Sequence, residues 1–142
     1  MNPYVLQVED VAIHYGGVKA LDGVALTLEK GQIRGLIGPN GAGKSTVIDA
    51  ITGRTRLTRG KVILAGEDVS HLGAVERRQR GLSRSFQRTS IFGGMPVRKQ
   101  VELASYKMGV PDPGADADAV LRELDLARLS HAIAEDLGYG EQ

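Results

Sequence analysis

The 142-residue sequence predicts an α/β fold, and three observations carry that prediction. Residues 33–37 are mostly apolar and rich in β-formers, the composition of a buried strand. Directly after them stands Gly38-Pro39-Asn40-Gly41-Ala42-Gly43-Lys44-Ser45-Thr46, the pattern G-x-x-x-x-G-K-S. From Ser45 onward Val47, Ile48 and Ile51 recur on one helical face. Strand, glycine loop and helix in that order form a unit that belongs in a mostly parallel sheet covered by helices.

The residue types of the loop have a chemical reason. Gly38, Gly41 and Gly43 let the backbone curl so that successive amide hydrogens point inward with no Cβ in the way. The helix that follows adds free N-terminal N–H groups and the positive end of its dipole. Lys44 supplies a compact charge for outer phosphates, Ser45 a hydroxyl for a magnesium ion, and Thr46 a further hydroxyl for an inner phosphate. The alternative, a glycine-rich turn that happens to precede a helix, leaves both flanks unexplained. The loop points to phosphate and nucleotide, without specifying a reaction.

Around this unit the chain divides into short elements. Residues 4–15 alternate as a strand, with one offset near Glu9-Asp10, and Gly16-Gly17 ends it. A second alternating stretch covers 21–28, and Lys30-Gly31 forms a turn. The helix after Lys44 stops near Gly53, a natural left-handed cap. Residues 61–64 and 67–69 read as a hairpin around Ala65-Gly66. Ser70 is the expected N-cap of a helix reaching Arg80 and closed by Gly81, followed by a short strand at 82–86. Farther on, Val97, Val101, Ala104 and Met108 share a helical face. Pro111-Asp112-Pro113-Gly114 breaks the chain. Ala117, Val120, Leu121 and Leu124 form the next stripe, and residues 129–133 a shorter one.

Composition excludes several classes. There is no cysteine, so disulfides and thiolate metal sites are out. His14, His71 and His131 lie far apart without metal-ligand spacing. The net charge of +1 favours neither nucleic acid nor membrane, no apolar run approaches a membrane span, and Met1-Asn2-Pro3-Tyr4 carries no secretory signal. Between Arg54 and Lys99 eleven basic residues face three acids, Glu67, Asp68 and Glu76, whereas eight acids follow Pro111. The basic middle lacks interleaved aromatics, so it reads as a solvated or partner-facing surface rather than a nucleic-acid patch.

Four stretches together resemble the nucleotide-binding subunit of ATP-binding cassette (ABC) transporters, nearest to the branched-chain amino-acid uptake subfamily. They are His14-Tyr15-Gly16-Gly17-Val18-Lys19-Ala20-Leu21, the loop itself, Leu82-Ser83-Arg84-Ser85-Phe86-Gln87 with Ile91-Phe92-Gly93-Gly94-Met95-Pro96-Val97, and Leu137-Gly138-Tyr139-Gly140-Glu141-Gln142. The resemblance implies a P-loop NTPase core, partial here, with an antiparallel β subdomain over residues 1–94 and the start of a helical subdomain over 95–142. It implies ATP and Mg²⁺ as cofactors, with Tyr15 stacking on adenine, a base held by a planar π-face. Gly38, Asn40, Gly41, Ala42, Gly43, Lys44, Ser45 and Thr46 would hold the phosphates, and Ser45 and Gln87 the metal. Lys44 and Gln87 are the implied catalytic residues. The segment with Gly138, Tyr139 and Gly140 is similar to the cassette signature, which caps ATP held by a second subunit. Gly138 replaces the usual serine, so backbone N–H groups alone remain for that contact. Lys99-Gln100-Val101 stands where the family often has Glu-Asn-Val, an expected surface difference only.

The resemblance further implies a head-to-tail dimer of ATPase subunits bound to transmembrane permeases. The chain would be cytoplasmic and peripheral at the inner face of the plasma membrane, with no solute contact and no nucleic acid. The family's Asp-Glu strand and switch histidine do not occur in these 142 residues, and only 33–37 and 82–86 read as central strands. The expectation is a chain cut short, able to bind but not to turn over ATP. Residues 62–68 are not that Asp-Glu strand, because glycine interrupts them and the acids come in the wrong order. A non-transport cassette acting on nucleic acid or ribosomes, and an inert nucleotide-binding fragment, are the alternatives.

Overall fold

The computed structural model describes residues 3–86, 90–138 and 140. They form two compact units, the first extending to Arg84 and the second starting at Ser85.

The first unit is a four-stranded antiparallel sheet with one helix against it. Strand β1 (Tyr4–Tyr15) turns at Gly16 into β2 (Val18–Glu29), and β3 (Arg59–Leu64) pairs on the other side of β1. The order β2-β1-β3-β4 ends in the two-residue strand β4 (Glu67–Asp68). The register places Val8 opposite Leu26 and Val62, and Leu6 opposite Leu28 and Leu64. One face is therefore a continuous apolar surface. The offset expected near Glu9-Asp10 is a bulge: the register shifts between Val8 and Val11, and Asp10 takes a positive φ of 47°. The hairpin at Ala65-Gly66 has both turn residues at positive φ, the backbone that matches the twist of antiparallel strands.

Helix α1 (Lys44–Ile51) lays Val47, Ala50 and Ile51 on this sheet, where they pack with Leu6, Val8, Val11, Ile13, Val62 and Leu64. Ile48, expected on the same stripe, lies at its edge and is partly exposed. Gly53 ends the helix at φ 74°, as expected.

The expected strand at 33–37 does not form. Ile33 is 98% exposed and Ile37 93%. A strand is a ladder between partners, not a property of an apolar run, and among the described residues none pairs with this stretch. The segment is instead tied to β2 by side chains: Gln32 Oε1 accepts the Glu29 N–H at 3.0 Å, and Arg34 Nη1 donates to Thr27 O at 2.6 Å. Residues 82–86 form no ladder either, for the same reason.

Helix α2 (Ala74–Gln79) begins later than expected, with Gly73 rather than Ser70 at its cap. Glu76 reaches back to accept the Gly73 N–H at 2.8 Å. Ser70 serves the sheet: its Oγ accepts the Val62 N–H at 2.8 Å and donates to Asp68 Oδ1 at 2.5 Å. The hydroxyl bond, joined by the Ser70 N–H at 2.9 Å, holds the Asp68 carboxyl below its ordinary value.

In the second unit helix α3 (Val97–Lys107) packs with α4 (Pro113–Glu123). Pro113 and Gly114 belong to the first turn of α4, and Asp112 caps it by accepting the Ala115 N–H at 3.0 Å. The buried faces are Val97 with Ser105 and Ala117 with Leu121. Ala104, Met108 and Leu124, expected on them, are exposed. A polar pair takes their place: the Ser105 hydroxyl donates to Asp116 Oδ2 at 2.6 Å. Arg98 forks onto Asp118 at 2.6 and 3.1 Å and reaches Glu102 at 2.9 Å, drawing the acidic stretch after Pro111 against α3. Gln100 is not a mere surface difference. Its Oε1 accepts the Phe92 N–H at 2.8 Å and fixes the chain entering α3. Residues 129–133 give no regular helix; two 3₁₀ turns, Ala127–Leu129 and Ala134–Asp136, flank an isolated bridge from Ile133 to Pro96.

Candidate functional site: a glycine loop at the start of α1

The loop runs from the unpaired segment into α1. Gly41 and Gly43 sit at φ 81° and 83°, where a β-carbon is strained. Gly43 is the N-cap, and space there is short: a Cβ would meet Leu21 Cδ2 at 3.0 Å and Ala20 O at 3.3 Å. Only glycine lets the loop lie this close to β2. A Cβ on Gly41 would meet nothing within 4 Å, so there the glycine serves the backbone angle alone.

The first helical bond runs from the Val47 N–H to Gly43 O at 2.8 Å. The amides of Lys44, Ser45 and Thr46 precede it and have no acceptor within the helix. They are aligned at the positive end of α1 with no acid in the first turn to occupy them. Lys44 Nζ folds back over the loop and donates to Gly38 O at 2.7 Å and Pro39 O at 2.6 Å. A cation, three orphan amides and a glycine-shaped concavity are the donor set of an anion site, and they fit a polyphosphate. Ser45 is exposed at the same helix start, and its hydroxyl can serve a hard metal ion.

Tyr15 ends β1 and is 57% exposed. Its hairpin is the one whose Ala20 and Leu21 meet Gly43. The sheet therefore brings Tyr15 to the end where the loop lies. Asn40 and Ala42 lie exposed in the loop, with the Ala42 N–H donating to Pro39 O at 3.3 Å. Gln87 and Tyr139 fall outside the described residues, as do Glu141 and Gln142. Gly138 and Gly140 are exposed members of the second unit.

A cavity of about 330 Å³ in the first unit flanks α1 and is lined by Val24, Leu26, Leu28, Val47 and Ile51, among others. No residue of the loop from 38 to 46 lines it. Its apolar walls suit packing rather than phosphate.

Two arginines missed in the sequence hold α1 in place. Arg84 pairs with Asp49, on the helix, and so ties the chain ahead of Gln87 to α1. Arg77 is 1% exposed and donates to four backbone carbonyls, two of them at the end of α1. Burial pushes its guanidinium below the usual arginine value, with Asp68 opposing. Nothing in Glu76-Arg77-Arg78-Gln79-Arg80 marks one of these arginines as buried.

The model of the ABC transporter family matches residues 21–142. The chain belongs to the ABC transporter family. It is 34% identical to the high-affinity branched-chain amino acid transport ATP-binding protein BraF of Pseudomonas aeruginosa, over all of this chain and 62% of that protein. It is 33% identical to the lipopolysaccharide export system ATP-binding protein LptB of Haemophilus influenzae, over 97% of this chain and 58% of that protein. An ATP-binding cassette of an ABC transporter, crystallised in its ADP conformation, superposes with a TM-score of 0.83 at 29% identity, over 97% of this chain and 60% of that one. The fold is thus that part of an ABC cassette which this chain covers. The chain spans about 60% of the length of these relatives.

Proposed function

We propose that this ABC-family chain binds Mg-ATP through the loop at the start of α1, as part of an ATP-binding transporter subunit. The observation that carries the reading is the Lys44 ammonium closing a glycine loop over the unbonded amides of Lys44, Ser45 and Thr46. Gly38 to Gly43 shape the cradle, and Lys44 exchanges its two carbonyl partners for phosphate oxygens. Ser45 and Gln87 hold the metal, Tyr15 carries the adenine, and Gly138, Tyr139 and Gly140 serve the nucleotide of a second subunit. When bound, Mg-ATP supplies the phosphoanhydride whose cleavage powers movement of permease partners. The chain's part in that step is positioning and neutralisation of charge.

The functional division on this reading is residues 1–94 as nucleotide core with its β subdomain and 95–142 as the helical part ending in the signature, a boundary that differs from the compact units' own at Arg84 and Ser85. The chain works at the cytoplasmic face of the membrane through its partners; among the described residues no helix is long and apolar enough to cross a membrane. The solute is a branched-chain amino acid or a related compound taken up into the cell. BraF supports this reading and LptB, an export protein, leads elsewhere. Deleting the gene tests it: loss of labelled leucine uptake is expected, and intact leucine uptake would remove the solute assignment.

On its own the 142-residue chain binds ATP without steady turnover. The sequence of residues 1–142 offers no apolar strand ending in Asp-Glu to supply a general base. Phosphate release from Mg-ATP is the test. Continued release over many turnovers would refute this part.

A further inference from the structure

We propose that Arg77 is a positioning residue for the phosphate loop, acting through α1. This rests on the nucleotide-binding reading above and deepens it. The guanidinium is 1% exposed, and among the described residues no carboxylate is bonded to it. Its Nη1 donates to Ala50 O at 2.8 Å and Ile51 O at 2.7 Å. Its Nη2 donates to Ser70 O at 3.0 Å, and its Nε to Leu72 O at 3.0 Å. One planar cation thereby joins the last turn of α1 to the chain leading into α2.

A buried cation held only by carbonyls is costly, and a helix end can be closed in cheaper ways. The site is nevertheless shaped around it. Gly53, at φ 74°, lies so close that a Cβ would meet Arg77 Nε at 2.9 Å and Cδ at 3.0 Å. The two α1 carbonyls belong to the group that a helix leaves without intrahelical donors, and a cation there complements the negative dipole end.

The connection to the loop is the shortness of the helix. With eight residues α1 is roughly 12 Å long, a single rigid rod of about two turns. Its C-terminal end is clamped by Arg77, and its N-terminal end carries the amides of Lys44, Ser45 and Thr46. Tilting one end re-aims the other. A nucleotide gripped at the loop must accordingly be sensed at the guanidinium.

The test uses the full chain and begins with the wild type. The Arg77 Nε–H is buried, so its side-chain NMR signal can be followed during ATP titration. It is expected to shift with the same midpoint as the Lys44 amide, and in Lys44→Ala to shift only at the correspondingly higher ATP concentration that this variant needs. An Arg77 signal that does not move while the wild type binds ATP overturns the proposal, whether or not any Arg77 variant folds. Arg77→Lys keeps the charge but cannot span four carbonyls; at unchanged circular dichroism it should bind ATP about tenfold more weakly. Arg77→Ala should bind more weakly still, and methylguanidinium should restore it without affecting the wild type. Folded variants with wild-type affinity would leave Arg77 a purely structural role and sink the proposal. Absence of ATP binding in the wild type is a separate outcome: it removes the nucleotide reading, and this proposal with it.

Discussion

Replacing Gly60 by alanine puts a methyl group where β1 and β3 come together. Gly60 sits at φ 92°, and its added Cβ would lie 2.5 Å from Glu9 O and from Asp10 C and closer still to Asp10 O. Those atoms are backbone, at the bulge where Asp10 itself takes a positive φ, so no side chain can swing away. The left-handed angle alone costs an alanine roughly 1–2 kcal/mol. Relieving the overlap by moving two paired strands adds about 1–3 kcal/mol. Gly66 provides the control, with a nearly equal φ of 88° and nothing within 4 Å of its Cβ. Gly66→Ala should therefore lose only the conformational part. With urea slopes of roughly 1–3 kcal/mol/M, the two variants should differ by about 1 M in unfolding midpoint, Gly60→Ala being the weaker. Equal midpoints would refute the claim that close approach, rather than backbone angle, dictates glycine at this bulge.

Tyr15→Phe should bind ATP like the wild type, whereas Tyr15→Ala should lose about five- to a hundredfold in affinity, the range of base–aromatic stacking; equal dissociation constants for all three would separate Tyr15 from the base. Three carboxyls are held below their ordinary value of 3.8: Asp22 by hydrogen bond and charge from Lys19, Asp68 by Ser70, and Asp118 by the Arg98 fork. A lowered folded-state value gives stability that is present above the unfolded value and lost as pH falls through the folded one. The urea midpoint should thus fall as pH drops below about 4, and Arg98→Gln should shallow that fall in the second unit, read by hydrogen exchange in α3 and α4. An acid limb unchanged in Arg98→Gln would contradict the pairing.

The residues that were legible in the sequence are those whose cause is local. Glycine at 38, 41 and 43 follows from what the backbone must do there, and the Ala65-Gly66 turn and the Gly53 cap are of the same kind. Alternation in residues 4–15 foretold β1 and even its bulge, because one face is buried against α1. Residues 33–37 show the limit. Their apolar pattern describes what a strand buries once paired, and it says nothing of whether partners stand beside it. Ser70 and Gly73 competed for the same cap, and Ser70 was drawn away by Asp68, two residues back, and by Val62, eight residues distant in the chain. Arg77 was illegible for the same reason: its four acceptors are main-chain carbonyls, which every sequence contains. In the second unit the inward face of α3 runs through Val97 and Ser105, so the polar Ser105, bonded to Asp116, holds the place that the apolar stripe assigned to Ala104 and Met108.

Lys44 is where the account is most exposed. Its ammonium now bridges Gly38 O and Pro39 O, and binding requires it to turn toward phosphate instead. Calorimetric titration of ATP into the wild type and Lys44→Ala at matched circular dichroism is the direct measurement. Saturable binding by the wild type, weakened at least about tenfold in the variant, is the expected result; equal binding by both would contradict it.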